Sequence, residues 1–124
     1  MDLENCGIGV DIESIKRFKK YANDKNDTFV KKIYTQNEID YCFLSKTPEI
    51  HLAARFCAKE AIYKAFCSIG VTNLGFQDLE ILNNTNKVPY VNFIKHGLEH
   101  FSCKLSLSHS KDNAVAYAIV SKKP

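Results

Sequence analysis

Arg55, Lys59, Glu60 and Lys64 fall within one short stretch, Arg55-Phe56-Cys57-Ala58-Lys59-Glu60-Ala61-Ile62-Tyr63-Lys64. At helical spacing, Ala54, Ala58, Ala61, Ile62 and Ala65 share one narrow face, and four alanines there let a helix axis lie close against a sheet. The opposite face is expected to meet solvent, yet it mixes Phe56, Tyr63 and Cys67 with Lys59, Glu60 and Lys64. Glu60 and Lys64 are helical neighbours, and one reading is a plain i,i+4 salt bridge. Such an exposed pair is worth only about 0.3–0.5 kcal/mol. Aromatic neighbours add a desolvation cost that so weak a pair does not repay. The other reading is a carboxylate and lysines whose charge balance is completed by an ion or a phosphate. Asp11 is the natural second carboxylate, because Mg²⁺ takes one or two carboxylates, several waters and substrate phosphate oxygens. Taken alone, Asp11 also suits a helix N-terminus. The pairing of Asp11 with Glu60 does not follow from their separation in the chain. His109 reads either as a hydrogen-bonded histidine at a strand end or as a phosphate contact beside Ser108, Ser110 and Lys111.

These residues need elements to hold them. Gly7-Ile8-Gly9-Val10-Asp11-Ile12 alternates as a strand expected to end near Asp11. Ser14 is placed to cap a helix carrying Ile15, Phe18 and Tyr21 on one side. A second helical stretch starts at Thr28 and reaches Ile33. Thr35 and Glu38 have capping-box spacing for a third helix, with Ile39, Cys42 and Phe43 on its apolar side. Pro48 opens a long helix to about Ser68, stopped by Gly70. After Gly75 the period changes: Leu79 and Ile81, then Val91 and Phe93, alternate across the turn-like Asn83-Asn84-Thr85-Asn86. Cys103, Leu105 and Leu107 mark a half-buried strand, Lys111-Asp112-Asn113 a turn, and Ala114 to Val120 a more apolar strand. Helices early and hairpins late predict an α+β fold with a mostly antiparallel sheet packed on the long central helix. Residues 1–124 are expected to form one domain, without repeats or linkers.

Composition narrows the function classes. Hydrophobic content of 45% and charged content of 25% are ordinary for a globular protein. The five cysteines are scattered, odd in number and without C-x-x-C spacing, so they read as reduced core thiols. No N-terminal apolar stretch suggests a secretory signal and no run is long enough to span a membrane, so a soluble intracellular protein is expected. The net charge of +3 says little, but seven basic and two acidic residues between Ser14 and Tyr34 give that segment +5. A basic patch on a slightly negative body suits one anionic partner; a solvated lysine-rich face explains it as well. Nucleic acid is a poor candidate, since no aromatic-plus-basic motif accompanies the charge.

Together these segments resemble the holo-acyl-carrier-protein synthase family of phosphopantetheinyl transferases. Gly7-Ile8-Gly9-Val10-Asp11 with Arg17 looks like its G-x-G-x-D…R opening. Phe56-Cys57-Ala58-Lys59-Glu60-Ala61, followed by Lys64-Ala65, resembles its F-x-x-K-E-A-x-x-K-A motif. Phe76 to Ile81, Pro89-Tyr90-Val91 and Leu105 to Ser110 match later segments in the same order, so the likeness spans nearly the whole chain. One departure concerns the glycine-rich turn after the central helix, where this chain has Phe66-Cys67-Ser68-Ile69-Gly70-Val71 with a single glycine.

The resemblance implies transfer of phosphopantetheine from coenzyme A to a serine of an acyl carrier protein, in support of fatty acid biosynthesis in the cytoplasm of a bacterium or in an organelle. It assigns Mg²⁺ to Asp11 and Glu60 and leaving-group stabilisation to Lys64. Lys59, Arg55 and His109 become candidates for coenzyme contacts, and Arg17, Lys16 and Lys20 for carrier-protein docking. Either Glu60 or a metal-bound water would deprotonate the serine. A homotrimer with sites between subunits is implied too. Two rival classes remain: an unrelated Mg²⁺-dependent nucleotide hydrolase, and a non-catalytic module whose basic segment docks an acidic partner.

Overall fold

The computed structural model describes residues 2–124. Strand β1 (Cys6–Ser14) leads into a 3₁₀ segment (Ile15–Tyr21), followed by helices α1 (Thr28–Ile33), α2 (Gln36–Phe43) and α3 (Pro48–Cys67). Strands β2 (Leu79–Asn83), β3 (Pro89–Phe93), β4 (Phe101–His109) and β5 (Asn113–Lys122) complete the chain. All pairings are antiparallel: one sheet has the order β1-β5-β4, and β2-β3 form a separate hairpin. The α+β architecture with a central helix is as expected.

Helix α3 lies on the three-stranded sheet at backbone distance. Gly7 and Gly9 face it, and a methyl group on either would overlap the carbonyl oxygen of Ala65 or of Ala61. Ala58, Ala61, Ile62 and Ala65 are fully buried at this contact, together with Ala116, Ala118 and Val120 of β5. Ala54, expected on the same face, is only half-buried, and Ala53 is buried in its place against Phe18, Phe56 and Ala114. The other side of α3 is covered around Phe56, whereas Tyr63 and Lys64 stay exposed. The 3₁₀ segment and α2 pack on it, and Phe56 is enclosed by Phe18, Phe29 and Phe76.

Local signals worked largely as written. Thr35 and Glu38 form both halves of a capping box at α2. Asp27 caps α1 through a 2.8 Å bond from the Phe29 N–H. Gly70, at φ +89, takes the left-handed position after α3, while Val71 N–H returns to Phe66 O and Gly70 N–H to Cys67 O. That double closure needs one glycine only, so the helix stop survives loss of the others. Two expectations are corrected. The segment after β1 winds as a 3₁₀ turn with no side-chain bond from Ser14. Strand β1 also continues past Asp11 to Ser14, because β5 offers partners that far, pairing Glu13 with Ala114 and Ser14 with Asn113.

Candidate active site

Alternation along β1 puts Gly7, Gly9, Asp11 and Glu13 on the face toward α3. Once the glycines seat the strand on the helix, Asp11 comes up beside Glu60 and Lys64. Lys64 Nζ donates to Asp11 Oδ1 at 3.2 Å and to the Val10 carbonyl at 3.1 Å. Its ion-pair partner is Asp11 across the strand; the i,i+4 pairing with Glu60 is not made. The second oxygen, Asp11 Oδ2, is buried with no hydrogen-bond partner. Burial and the nearby Asp11 charge push the Glu60 carboxyl above its usual range, against the pull of Lys64 and Arg17.

Glu13 was missed by the sequence reading. Two residues beyond Asp11 on the same strand face, it accepts a 2.6 Å ion pair from Arg17 Nη1. Burial, with Asp11 alongside, raises its carboxyl to about 7. The signal was the D-x-E spacing, which matters only if β1 runs that far. Among the described residues no three His, Cys, Asp or Glu side chains form a closed metal cage. Two carboxylates, Asp11 with an orphaned buried oxygen and Glu60 on an open cleft, suit Mg²⁺, which keeps waters and phosphate oxygens, better than such a cage would. Cys57 Sγ, 3.0 Å from the Asp11 carbonyl, ties this strand to the helix, and its buried thiol is pushed up to about 12. All five cysteines are free.

The remaining sequence candidates separate into three groups. Lys59 is corrected: its Nζ is fully buried and donates to Ile33 O, Glu38 Oε1 and Phe76 O at 2.7–2.9 Å. An ammonium has three donors, so none remains for a phosphate. Arg55 is 3% exposed, stacks its guanidinium 4.0 Å from the Tyr41 ring centre, and leaves Nε unpartnered. His51, also overlooked, lies one helical turn before Arg55. Burial and the charges of Arg55 and His109 hold its imidazole below its usual pKa. Arg55, His51 and His109 gather toward one end of α3, a guanidinium with two imidazoles whose donors suit a phosphate. Arg17, half exposed, covers Phe18 and Phe56 at 5.3 and 5.2 Å, while Lys16 and Lys20 are exposed on the same 3₁₀ segment.

The carboxylates, with Lys64 and Arg17, and the group of Arg55, His51 and His109 occupy opposite flanks of the helix. In the sheet, Glu13 on β1 and His109 on β4 both register with Ala114 of β5, which is buried between them. Along α3, Arg55 and Glu60 are turned roughly 140° apart. A cleft of about 190 Å³ opens beside Glu60, lined also by Tyr63, Leu74, Gly75 and Phe76.

A family model described as the 4'-phosphopantetheinyl transferase superfamily matches residues 7–120. This chain belongs to that superfamily. A holo-[acyl-carrier-protein] synthase of Clostridium botulinum is 38% identical, covering 92% of this chain and 95% of the relative. One from Aquifex aeolicus is 38% identical over 94% and 98% of the two chains. Among solved structures, the Bacillus anthracis holo-(acyl-carrier-protein) synthase in complex with CoA (3',5'-ADP) superposes with a TM-score of 0.78 at 30% identity, covering 94% and 96%. The Helicobacter pylori enzyme in complex with coenzyme A gives 0.77 at 30% identity, covering 92% and 99%. The transferase fold of these relatives is the fold of this chain. Among the described residues no helix is long and apolar enough to cross a membrane.

Proposed function

We propose that this transferase moves the phosphopantetheine arm of coenzyme A onto a serine of an acyl carrier protein, releasing adenosine 3',5'-bisphosphate. The observation that carries the reading is the buried, unpartnered Asp11 Oδ2 beside Glu60 and Lys64, in a chain related to synthases solved with coenzyme A. Asp11 and Glu60 would hold Mg²⁺, which when bound neutralises charge on the pyrophosphate. Lys64, fixed by Asp11 and the Val10 carbonyl, presents its charge where the leaving phosphate departs. Glu60, or a water beside it, accepts the serine proton. The narrow cleft at Glu60, with Leu74 and Phe76 in its wall, suits the slender pantetheine arm. Arg55, His51 and His109 suit a phosphate at the adenosine end. The exposed Lys16 and Lys20, with Arg17, suit the acidic helix of a carrier protein. Work on a fatty acid carrier in the cytoplasm is the setting we assign.

The two half-sites on opposite flanks of α3 support a composite site in a homotrimer, each copy giving its carboxylates to one cleft and its Arg55–histidine group to the next. The surface supporting such assembly is the outer face of the three-stranded sheet. The aromatics of α3 are mostly enclosed within the chain, whereas Ile8, Val10, Ile12 and Tyr117 stand 43–62% exposed on the outer sheet face. An apolar row of that kind invites a copy related by rotation. Sedimentation of a fully active monomer would refute the trimer.

The direct test mixes the protein with apo-carrier protein, coenzyme A and Mg²⁺ and weighs the carrier by mass spectrometry. The expected outcome is carrier heavier by one phosphopantetheine. Unmodified carrier together with hydrolysed coenzyme would favour a hydrolase; unmodified carrier bound tightly, with intact coenzyme, would favour a docking module.

A further inference from the structure

Glu13 stands between two parts of the molecule that otherwise have separate tasks. Its side chain is 13% exposed and shares a strand face with Asp11, whose side chain is 11% exposed. Its Oε1 is held at 2.6 Å by Arg17 Nη1, and the Arg17 side chain is 50% exposed. The guanidinium lies against Phe18 and Phe56, which limits its reach, so it bridges from the surface to the inner edge of the carboxylates. Glu13 and Glu60 each feel the charge of Asp11, and two cations stand among these carboxylates. Lys64 makes direct contact with Asp11, and Arg17 makes direct contact with Glu13.

We infer that Glu13 is a positioning residue linking Arg17 to divalent-cation binding, so that an acidic partner engaging Arg17 strengthens binding of the cation at Asp11 and Glu60. The inference rests on the reading above in which those two carboxylates hold the ion. The physical route is charge bookkeeping at short range. Arg17 offers a planar fork of donors, and its Nη1 is committed to Glu13. A carboxylate arriving from a carrier protein competes for that fork. As Arg17 turns toward it, a positive charge leaves the edge of the carboxylates and Glu13 Oε1 loses its partner, so a divalent cation there becomes more favourable. Coupling between two bound ligands is reciprocal, so the cation must tighten the partner by the same factor. Lys16 and Lys20 have no such contact with the carboxylates and would only steer the encounter.

The test is a double-mutant cycle read by Mn²⁺ binding to the full chain, with free Mn²⁺ followed by electron paramagnetic resonance. The proteins are wild type, Arg17→Ala, Glu13→Gln and the double variant, each checked for folding by circular dichroism. Arg17→Ala mimics withdrawal of the guanidinium and should tighten Mn²⁺ about fivefold, at the low end of common couplings. In the Glu13→Gln background the same change should have almost no effect. Added apo-carrier protein should likewise tighten Mn²⁺ in wild type but not in Glu13→Gln. Equal effects of Arg17→Ala in both backgrounds would overturn the link through Glu13 while leaving the metal site standing. Mn²⁺ binding that Asp11→Asn does not weaken would overturn the metal assignment, and this inference with it.

Discussion

Replacing Lys59 with Met distinguishes a buried scaffold from a coenzyme contact. The ammonium donates to Ile33 O at 2.8 Å, Glu38 Oε1 at 2.7 Å and Phe76 O at 2.9 Å, and neither partner of the ion pair is exposed. Glu38 is itself held by the N–H groups of Thr35 and Ile81. Methionine keeps most of the stem but leaves a buried carboxylate without its cation and two carbonyls without a donor. Breaking a buried pair from one side costs about 3–5 kcal/mol. With a urea m-value near 2 kcal/mol/M for a chain of this size, the unfolding midpoint should fall by roughly 2 M. The melting temperature should fall by roughly 12–20 °C. Circular dichroism is the suitable probe, since the chain has no tryptophan. Adding Glu38→Gln to Lys59→Met should recover part of the loss, because it removes the stranded charge. Assayed cold, where the variant remains folded, the KM for coenzyme A should stay close to wild type. An unshifted midpoint with a large rise in that KM would refute the scaffold assignment and return Lys59 to the coenzyme.

Asp11→Asn and Glu60→Gln should each lower kcat/KM at least about a hundredfold, the scale of losing one preorganised charge-stabilising group, with little change in melting temperature; steady-state kinetics and calorimetry check both. Arg17→Ala should raise the KM for carrier protein roughly ten- to a hundredfold, as for a 1.5–3 kcal/mol charged hydrogen bond, and the KM for coenzyme A much less; salt titration should weaken the steering by the neighbouring lysines. The raised carboxyls predict a pH signature without metal. Glu13 at about 7 in the folded chain, against about 4.5 unfolded, favours folding below the lower value and loses that contribution as pH climbs to 7. Melting temperature should therefore decline across that window, less steeply in Glu13→Gln. Mg²⁺ should restore more at pH 7.5 than at pH 5, and scans with and without the ion test it.

What the sequence revealed and what it withheld follow the range of the interactions involved. The capping box at Thr35 and Glu38, the stop at Gly70 and the hairpin of Leu79–Ile81 with Val91–Phe93 are written within a few residues, and each is present. The expected grouping of Asp11 with Glu60 and Lys64 came from motif likeness; the contact of Lys64 with Asp11 spans more than fifty positions and has no local signature. Lys59 misled for the same reason, because its partner Glu38 lies on another helix. Glu13 needed the true end of β1, which depends on pairing with β5 at the far end of the chain. His51 had a local clue, a one-turn spacing from Arg55, but only the fold brings His109 to it.

The bare contact of Gly7 and Gly9 with the backbone of α3 makes the span between Asp11 and Glu60 a property of main chain against main chain. Side-chain packing can be retuned by trading volume between neighbours, but this spacing has no side chain to trade. The carboxylate gauge is consequently insulated from drift elsewhere: the outer sheet face, the docking segment and the turn after α3 can change partners without altering it. The same insulation makes it brittle. A single methyl at residue 9 would separate strand from helix and leave every proposed catalytic side chain present but out of reach of its counterpart, a silent enzyme with an intact inventory.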